Sequence, residues 1–473
     1  MKLYALDEVH QLSPQAVRGL YQAFVNPGLK NILYSFAAGE QLVDHAEGVW
    51  LHYSDGRKVL DVSGGIGVLT LGHNHPRILQ ARLQYQAQKR MEVHKTIFSP
   101  EMAALSHNLA QLLPADLDYS YFCNSGAEAV EGAMKLAYKF HDGKRQHILH
   151  ASDSFHGKLL GSGGMTNVRE ECFKFPTVPG IESFERNDLD SVRTLVQKLR
   201  QPNGDSDVYA IICEPFNAIT LTDATTDFLD GLRKVCDAEG ILLILDEVFC
   251  GWCKTGNLFR FMDSGVVPDI LTTSKSLGGG KASISAYIAR QHVLKRAYGD
   301  ASTATLHSTT YNGFGEECIT ALEAINVMVE EDYVGKSRAL EALVCEKGQA
   351  LASKYPQQIE QIRGAGALHG VFLKQKESLL QNLLAKLPVK MLQDQRFVAK
   401  LTVASVVDWL YKEHNIFTFF NNNRDVGVLF SPSLVITPEE TTLFFDALDA
   451  TLDHGLFKVT AEFVKSKLLK TIT

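Results

Sequence analysis

Two short, almost continuous apolar runs in the middle of the chain constrain its fold more than any other feature. Val208 to Cys213 and Ile241 to Leu245 are hydrophobic nearly throughout, as strands are when both faces of a parallel sheet are covered. Between them, Phe228 to Ala238 is rich in helix-forming residues and is followed by Gly240, a typical helix stop. A strand, a crossover helix and a second strand predict a doubly wound α/β domain.

Length and composition indicate an ordinary globular protein. The 473 residues exceed one usual core, so we expect a large α/β domain and a smaller one. The 47 Lys and Arg against 54 Asp and Glu leave a net charge of −7, which is not the footprint of a nucleic-acid binder. No apolar run is long enough to span a membrane, and the start of the chain shows no signal or transit pattern. The expected partners are therefore small molecules.

Cysteines and histidines predict neither a disulfide framework nor a metal site. The eight cysteines are scattered without regular spacing, which favours a reducing, cytoplasmic location. Cys250 and Cys253 form one Cys-x-x-Cys pair, but no second pair and no thioredoxin-like pattern accompany it, so we assign it no function. His73 and His75 lack a third nearby ligand, so we predict no bound metal.

Three predicted strands end in side chains that can do chemistry. Glu214 follows the run that ends at Cys213, Asp246 follows Leu245, and Lys275 follows a weaker strand at Ile270 to Thr273. In an open α/β sheet, ligands bind beyond the carboxyl ends of the strands. One such residue is more often a charge that reaches solvent, but three at one edge predict one site.

A helix start and an aromatic loop could complete that site. Ser125 and Glu128 have the spacing of a capping box before a helix over residues 129–141. The first N–H groups of such a helix bind anions, and Gly126 lets a phosphate approach the main chain. Phe155, in the stretch Phe155-His156-Gly157, could stack on a planar ring. Taken alone, a plain helix cap and a core phenylalanine would explain both features.

The glycines at 64, 65, 67 and 72 do not form a dinucleotide fingerprint. Such a loop must open a helix directly, whereas residues 72–76 read Gly-His-Asn-His-Pro and interrupt it. We therefore reject a nicotinamide or flavin dinucleotide site here.

Many short motifs match one family in order and spacing. They are Gly65 to Val68, Leu71 to Pro76, Asn124 to Ala129, Phe155 to Gly157, Glu214 with Pro215, Leu245 to Val248, Pro268 to Ile270, Ser274 to Gly280, His307 to Tyr311, and Arg363 with Gly364. With these motifs the chain resembles the class III aminotransferases, fold type I enzymes that depend on pyridoxal 5′-phosphate (PLP). The resemblance covers most of the sequence.

The resemblance implies an α/β fold of two domains. The large PLP-binding domain, with a mostly parallel central sheet flanked by helices, would span residues 76–335. A smaller α/β domain would combine residues 1–75 with residues 336–473, where the pattern of the sequence changes at a long amphipathic helix over residues 337–355.

The resemblance also implies a role for each site residue. Lys275 forms the Schiff base with PLP and carries protons, and Asp246 pairs with the pyridine nitrogen and keeps it protonated, so that the ring acts as an electron sink. Glu214 lies near substrate and cofactor. The remaining contacts to the cofactor fall to Ser125, Gly126, Ala127, Phe155, His156, Val248 and Thr310. Thr310 reaches the phosphate of a neighbouring subunit, which implies a homodimer with active sites at the interface.

Departures from the family pattern bear on the substrate. Leu429 stands where members that act on α-amino or α-keto acids usually carry an arginine that clamps the carboxylate. Arg424 is a candidate substitute, although a solvated loop arginine is the plainer interpretation. Phe249 replaces a common glutamine, Lys254 replaces a common arginine, and residues 311–315 depart from the usual stretch. These changes predict an amine or aldehyde with an apolar or ω-amino portion.

Three activities fit these motifs. The first is a ping-pong aminotransferase that moves an amino group between an amine and a keto acid or aldehyde. The second is a racemase or an amino-alcohol-phosphate lyase of the same family, and the third is a non-catalytic PLP-binding relative. Intact Lys275 and Asp246 favour an enzyme over the third.

Overall fold

The structure is a computed structural model that describes residues 3–166, 175–374, 395–420 and 426–472. Its strands, numbered in chain order, are β1 (Val43–Glu47), β2 (Trp50–Tyr53), β3 (Lys58–Asp61), β4 (Leu117–Cys123), β5 (His147–Ala151), β6 (Ile181–Phe184), β7 (Val208–Cys213), β8 (Leu242–Asp246), β9 (Ile270–Thr273), β10 (Ser285–Arg290), β11 (Ile359–Ala365), β12 (Leu368–Leu373), β13 (Ile416–Phe417) and β14 (Gly427–Phe430).

Helices connect and cover these strands. The α-helices are Leu6–Val9, Pro14–Leu20, Pro27–Tyr34, Pro76–Ala87, Pro100–Leu112, Gly126–Phe140, Leu160–Gly164, Leu189–Lys198, Thr226–Glu239, Gln291–Tyr298, Gly315–Glu330, Tyr333–Lys354, Gln395–His414, Pro438–His454 and Leu456–Ile472. None of the helices within the described residues is both long and apolar enough to cross a membrane.

A seven-stranded sheet forms the centre of the molecule. Its order is β4-β10-β9-β8-β7-β5-β6. The neighbours from β9 to β6 run parallel, and β10 is antiparallel to β4 and to β9. The predicted mostly parallel α/β sheet is confirmed.

The predicted unit around β7 and β8 forms as expected. All six residues of β7 and all five of β8 are buried, because both faces of the sheet are covered. The crossover helix starts at the cap Thr225 and stops at Gly240, whose φ of +61° is left-handed. Glycine adopts this conformation without the steric cost of a Cβ.

Two smaller sheets group the ends of the chain. Strands β1, β2, β3 and β13 form one sheet, and β11, β12 and β14 form the other. The parallel pairing of β13 with β3 ties the early segment to the late one. Domain boundaries near residues 75 and 335 remain a proposal, which this grouping of strands supports.

The long helix predicted from Ser337 begins earlier, at Tyr333. Asp332, in a left-handed conformation, accepts a hydrogen bond from the N–H of Gly335 at 2.9 Å. An aspartate cap satisfies a backbone donor that the helix cannot, so the helix starts beside it.

The glycine-rich stretch at residues 64–67 is a turn in which every φ is positive, including +62° at Ile66. The next helix begins only at Pro76. The chain therefore lacks the loop-to-helix geometry that a dinucleotide fingerprint requires at this point. Cys250 and Cys253 are buried free thiols.

Candidate active site

Glu214, Asp246 and Lys275 lie at the same edge of the central sheet. Strands β7, β8 and β9 are consecutive parallel neighbours, so their carboxyl ends meet on one side. Burial lowers the pKa of Lys275, and the nearby carboxylates of Asp246 and Glu214 act in the opposite direction. The ε-amine and both carboxyls are therefore close enough to influence one another.

Asp246 accepts hydrogen bonds from three groups. The N–H of Val248 and the hydroxyl of Thr272 donate to Oδ1 at 3.0 and 2.9 Å, and Nδ1 of His156 lies 2.6 Å from Oδ2. A carboxylate has about four acceptor positions. The described contacts therefore hold Asp246 in place and leave room for one more donor.

His156 supports Asp246 from behind. Its side chain is fully buried (0% exposed), and its Nε2 has no partner among the described residues. Because an ionised carboxylate can only accept, the ring donates its Nδ1 proton to Asp246. The resemblance implied that His156 contacts the cofactor, and the structure places its ring against Asp246.

Lys275 has an unusual backbone conformation. Its φ is +51°, which is rare for a residue that carries a side chain. Its Nζ lies 4.9 Å from the centre of the Phe249 ring. An added Cβ at Gly67 would lie 3.2 Å from that ring and 3.9 Å from Cδ of Lys275. The turn at residues 64–67 therefore forms one wall beside the lysine.

Glu214 is held by the loop that carries Phe155. Its carboxylate accepts from the N–H of Phe155 at 3.1 Å, from Nδ2 of Asn217 at 3.0 Å and from the N–H of Ala218 at 3.1 Å. Arg186 lies 3.4 Å away and also binds Asp153 at 2.7 Å. Burial raises the pKa of Glu214, while the charges of His156 and Arg186 lower it. No sequence motif pointed to Arg186.

The helix that starts at Gly126 opens toward the same region. Ser125 caps it by accepting from the N–H of Glu128 at 3.3 Å, as predicted. In a standard capping box, the Glu128 carboxylate would accept from the N–H of the cap residue Ser125. Here it accepts from the N–H of the preceding residue, Asn124, at 3.0 Å.

Small residues are needed where this helix start meets its neighbours. An added Cβ at Gly126 would lie 2.8 Å from Cγ1 of Val248, and one at Gly157 would lie 2.7 Å from Cβ of Ala127. Both distances are shorter than normal contacts allow. Val248 and the 155–157 loop thus approach the helix start together, where the first N–H groups of a helix can bind a phosphate.

The family model of the class III aminotransferases matches residues 35–452 of the chain. The chain belongs to the class III aminotransferase family. It is accordingly an enzyme that transfers amino groups with PLP as its cofactor.

Solved aminotransferase structures share its fold. An ornithine aminotransferase from Toxoplasma gondii ME49 has 23% identity and a TM-score of 0.76, covering 95% of this chain and 98% of that one. A transaminase from the marine bacterium Virgibacillus has 19% identity and a TM-score of 0.80, covering 94% and 99%. An acetylornithine aminotransferase from Elizabethkingia anophelis has 22% identity and a TM-score of 0.72, covering 93% and 98%.

The site residues of this aminotransferase fit PLP. Asp246 can accept one more hydrogen bond, the helix start at Gly126 offers free N–H groups, and Lys275 presents an amine of lowered pKa. These three features suit a pyridine nitrogen, a phosphate and an aldehyde respectively. Within the described ranges, His, Cys, Asp and Glu side chains form no group of three able to hold a metal ion.

Thr310 lies on the surface of the single chain. It is exposed, and its neighbours Leu306 and Tyr311 are also exposed, at 54% and 56%. Phe98 is fully exposed at 100%.

Leu429 belongs to an apolar part of the structure. Leu429 is 5% exposed and belongs to a buried cluster that Phe249 also contacts. The cluster consists of Phe216, Leu221, Cys250, Ala365, Leu368, Phe372 and Leu429. The position expected to carry an arginine is therefore packed with hydrocarbon. Arg424 lies outside the described residues.

Lys254, the other departure near this cluster, is completely buried. Its Nζ donates to the carbonyl of Pro432 at 2.7 Å, so it ties the large sheet to the segment that follows β14. Burial lowers its pKa to about 7, and Asp61 acts in the opposite direction. An arginine could not lose its proton in this way.

Proposed function

We propose that this aminotransferase acts on an amine with an apolar or ω-amino portion and on a keto acid or aldehyde acceptor, in a ping-pong cycle. The observation that carries the proposal is Leu429 in a buried apolar cluster that reaches Phe249 and, through it, Lys275. The members of that cluster carry no charged group that could pair with a carboxylate placed among them.

Each residue at the strand ends has a proposed role. Lys275 would hold the aldehyde of PLP and, once the incoming amine has displaced it, its free amine would carry the proton between the substrate carbon and the cofactor, which its lowered pKa favours. Asp246, held by His156, keeps the pyridine nitrogen protonated. Bound PLP supplies an electron sink for the carbanion formed at the substrate carbon. Glu214 lies beside the substrate.

The remaining residues orient the cofactor. Ser125, Gly126 and Ala127 would bind the phosphate, and Phe155 and Val248 would pack on opposite faces of the ring. Contacts between Gly126 and Val248 and between Gly157 and Ala127 support this grouping. A cytoplasmic location remains a prediction from the scattered cysteines.

We further propose a homodimer in which Thr310 of one subunit binds the phosphate in the other. The exposed apolar side chains near Thr310 support it. Mixing Lys275→Ala dimers with Thr310→Val dimers, after mild dissociation, should restore activity, because one site of each hybrid then carries neither change. Hybrids that stay inactive would contradict the shared site.

Reduction with borohydride tests the cofactor role. The reduced protein should carry the cofactor on the peptide that contains Lys275, and cofactor found on another lysine would overturn the assignment.

A panel of an alkyl amine, an ω-amino acid and an α-amino acid tests the substrate. We expect the highest kcat/KM for the first two, and strict preference for the α-amino acid would contradict the proposal.

A further inference from the structure

A cavity outside the candidate active site lies beside residues 417–420. Phe419 in this segment also packs against the Leu429 cluster. The volume of the cavity is about 460 Å³, within the range of small-molecule sites. One wall comes from the early helices and loop at residues 14–42, and the other from residues 407–420. Most of the lining is apolar or aromatic, including Phe36, Phe417 and Phe420. The residues assigned to the cofactor do not line this cavity.

The charged groups of the lining favour an anion. Arg18 and Lys30 both lie beside the ring of Tyr34, at 4.9 and 5.7 Å from its centre. The single acidic residue of the lining is Asp408. Asp408 already accepts from the N–H of Ala37 at 2.7 Å and pairs with Lys412 at 2.7 Å. Two cations, Arg18 and Lys30, thus line the cavity. The charge of Asp408, in contrast, is already paired with Lys412.

The cavity and the candidate active site share one strand segment. Phe419 lines the cavity and also packs against the buried cluster of Leu429. The N–H of Leu429 donates to the carbonyl of Phe419 at 2.9 Å, and Thr418 bonds to the carbonyl of Leu429. A ligand in the cavity would therefore contact a residue whose other face borders the substrate side.

We propose that this cavity is a second binding site, for a monocarboxylate with an apolar body. The aromatic and aliphatic walls would cover the body. Arg18 and Lys30 would bind the carboxylate at the mouth, where charge-assisted hydrogen bonds are stronger than neutral ones. Both an alkyl and an aryl carboxylate meet this description.

Calorimetric titration of the full-length holoenzyme tests the site without requiring turnover. Decanoate and phenylbutyrate are the two probes, and decylamine is the control with the same alkyl tail and opposite charge. Both carboxylates should bind if the cavity accepts either body, and only one should bind if its shape selects. Decylamine binding as tightly as decanoate would overturn the proposal.

Matched variants locate the binding. The double variant Arg18→Gln with Lys30→Glu should raise the Kd of decanoate at least about tenfold, and Ala38→Leu, which fills the cavity, should weaken it too. Lys144→Glu changes an exposed lysine elsewhere and should leave the Kd unchanged. Phe249→Ala, beside Lys275, should also leave it unchanged.

Two results would contradict this location. One is loss of decanoate binding in Phe249→Ala with normal binding in the cavity variants, because the probe would then occupy the substrate side. The other is a disulfide between two copies of a Leu33→Cys variant together with no carboxylate binding, because the groove would then be covered by a second chain.

Discussion

The proposed cofactor side of this site, at the strand ends, is polar, whereas the proposed substrate side, around Leu429, is apolar. At the ends of β7, β8 and β9, Glu214 and Asp246 each accept at least three described hydrogen bonds. The buried cluster around Leu429 consists of hydrocarbon, aromatic rings and one thiol. In the proposed function, charge placed among oriented donors serves chemistry common to the family, whereas the apolar side would select the substrate.

The largest expected effect is that of Lys275→Ala, on the cofactor side. Loss of the amine removes both the covalent link and the proton carrier, so kcat/KM should fall by at least about 10⁴-fold. Steady-state assays measure the loss, and circular dichroism checks that the protein stays folded. Lys281→Ala, at an exposed lysine nearby, should keep normal activity. If Lys275→Ala turned over at a normal rate, the polar side would not be where the chemistry occurs.

Asp246→Asn should come next, with a loss in kcat of about 10³-fold. The amide keeps the shape but removes the negative charge opposite the pyridine nitrogen, and it forces His156 to rearrange its proton. Single-turnover kinetics with the preferred amine would measure the step. Asp237→Asn, on an exposed carboxylate that is 65% accessible, is the control. A kcat within the error of the unchanged protein would show that Asp246 only shapes the fold.

Leu429→Arg tests the apolar side. The new guanidinium would be buried among Phe216, Leu221 and Phe372 without a charged partner, which should reduce the free energy of unfolding by about 3 kcal/mol. Where the protein still folds, kcat/KM for α-amino acids should increase relative to kcat/KM for the other amines. Leu429→Met and the exposed-site change Leu443→Arg should leave stability nearly unchanged. Unaltered stability in Leu429→Arg would mean that water reaches this position.

The same contrast explains how much the sequence could predict. Strand-end residues such as Asp246 could be found because a buried parallel strand has a clear pattern and its end lies at the binding edge. The substitution at Leu429 was readable from the motif order, but its surroundings were not. Phe216, Leu221 and Leu368 meet there from distant parts of the chain, and local patterns do not encode long-range packing.

Residues that act through another residue were also hard to predict. Arg186 contacts Glu214 from a segment without a motif, and the support of Asp246 by His156 depends on the path of a loop. The early start of the helix at Tyr333 has a different cause, because a left-handed aspartate cap leaves little trace in hydrophobic periodicity.

The smallest effect concerns Lys254, whose Nζ donates to the carbonyl of Pro432 in the segment that follows β14. Because burial lowers its pKa from 10.5 to about 7, the folded protein releases this proton before the unfolded chain does. The penalty for burying the charge is complete below pH 7, and stability rises as pH increases from 7 to 10.5.

Lys254→Met removes the penalty, so its advantage in free energy of unfolding over the unchanged protein should be largest near pH 6. That advantage should shrink as the pH increases above 7. Thermal unfolding across this range measures it, with Lys234→Met, at a lysine 74% exposed, as the control. An advantage that grew with pH would place a compensating charge beside Lys254 and remove the contrast between the two sides.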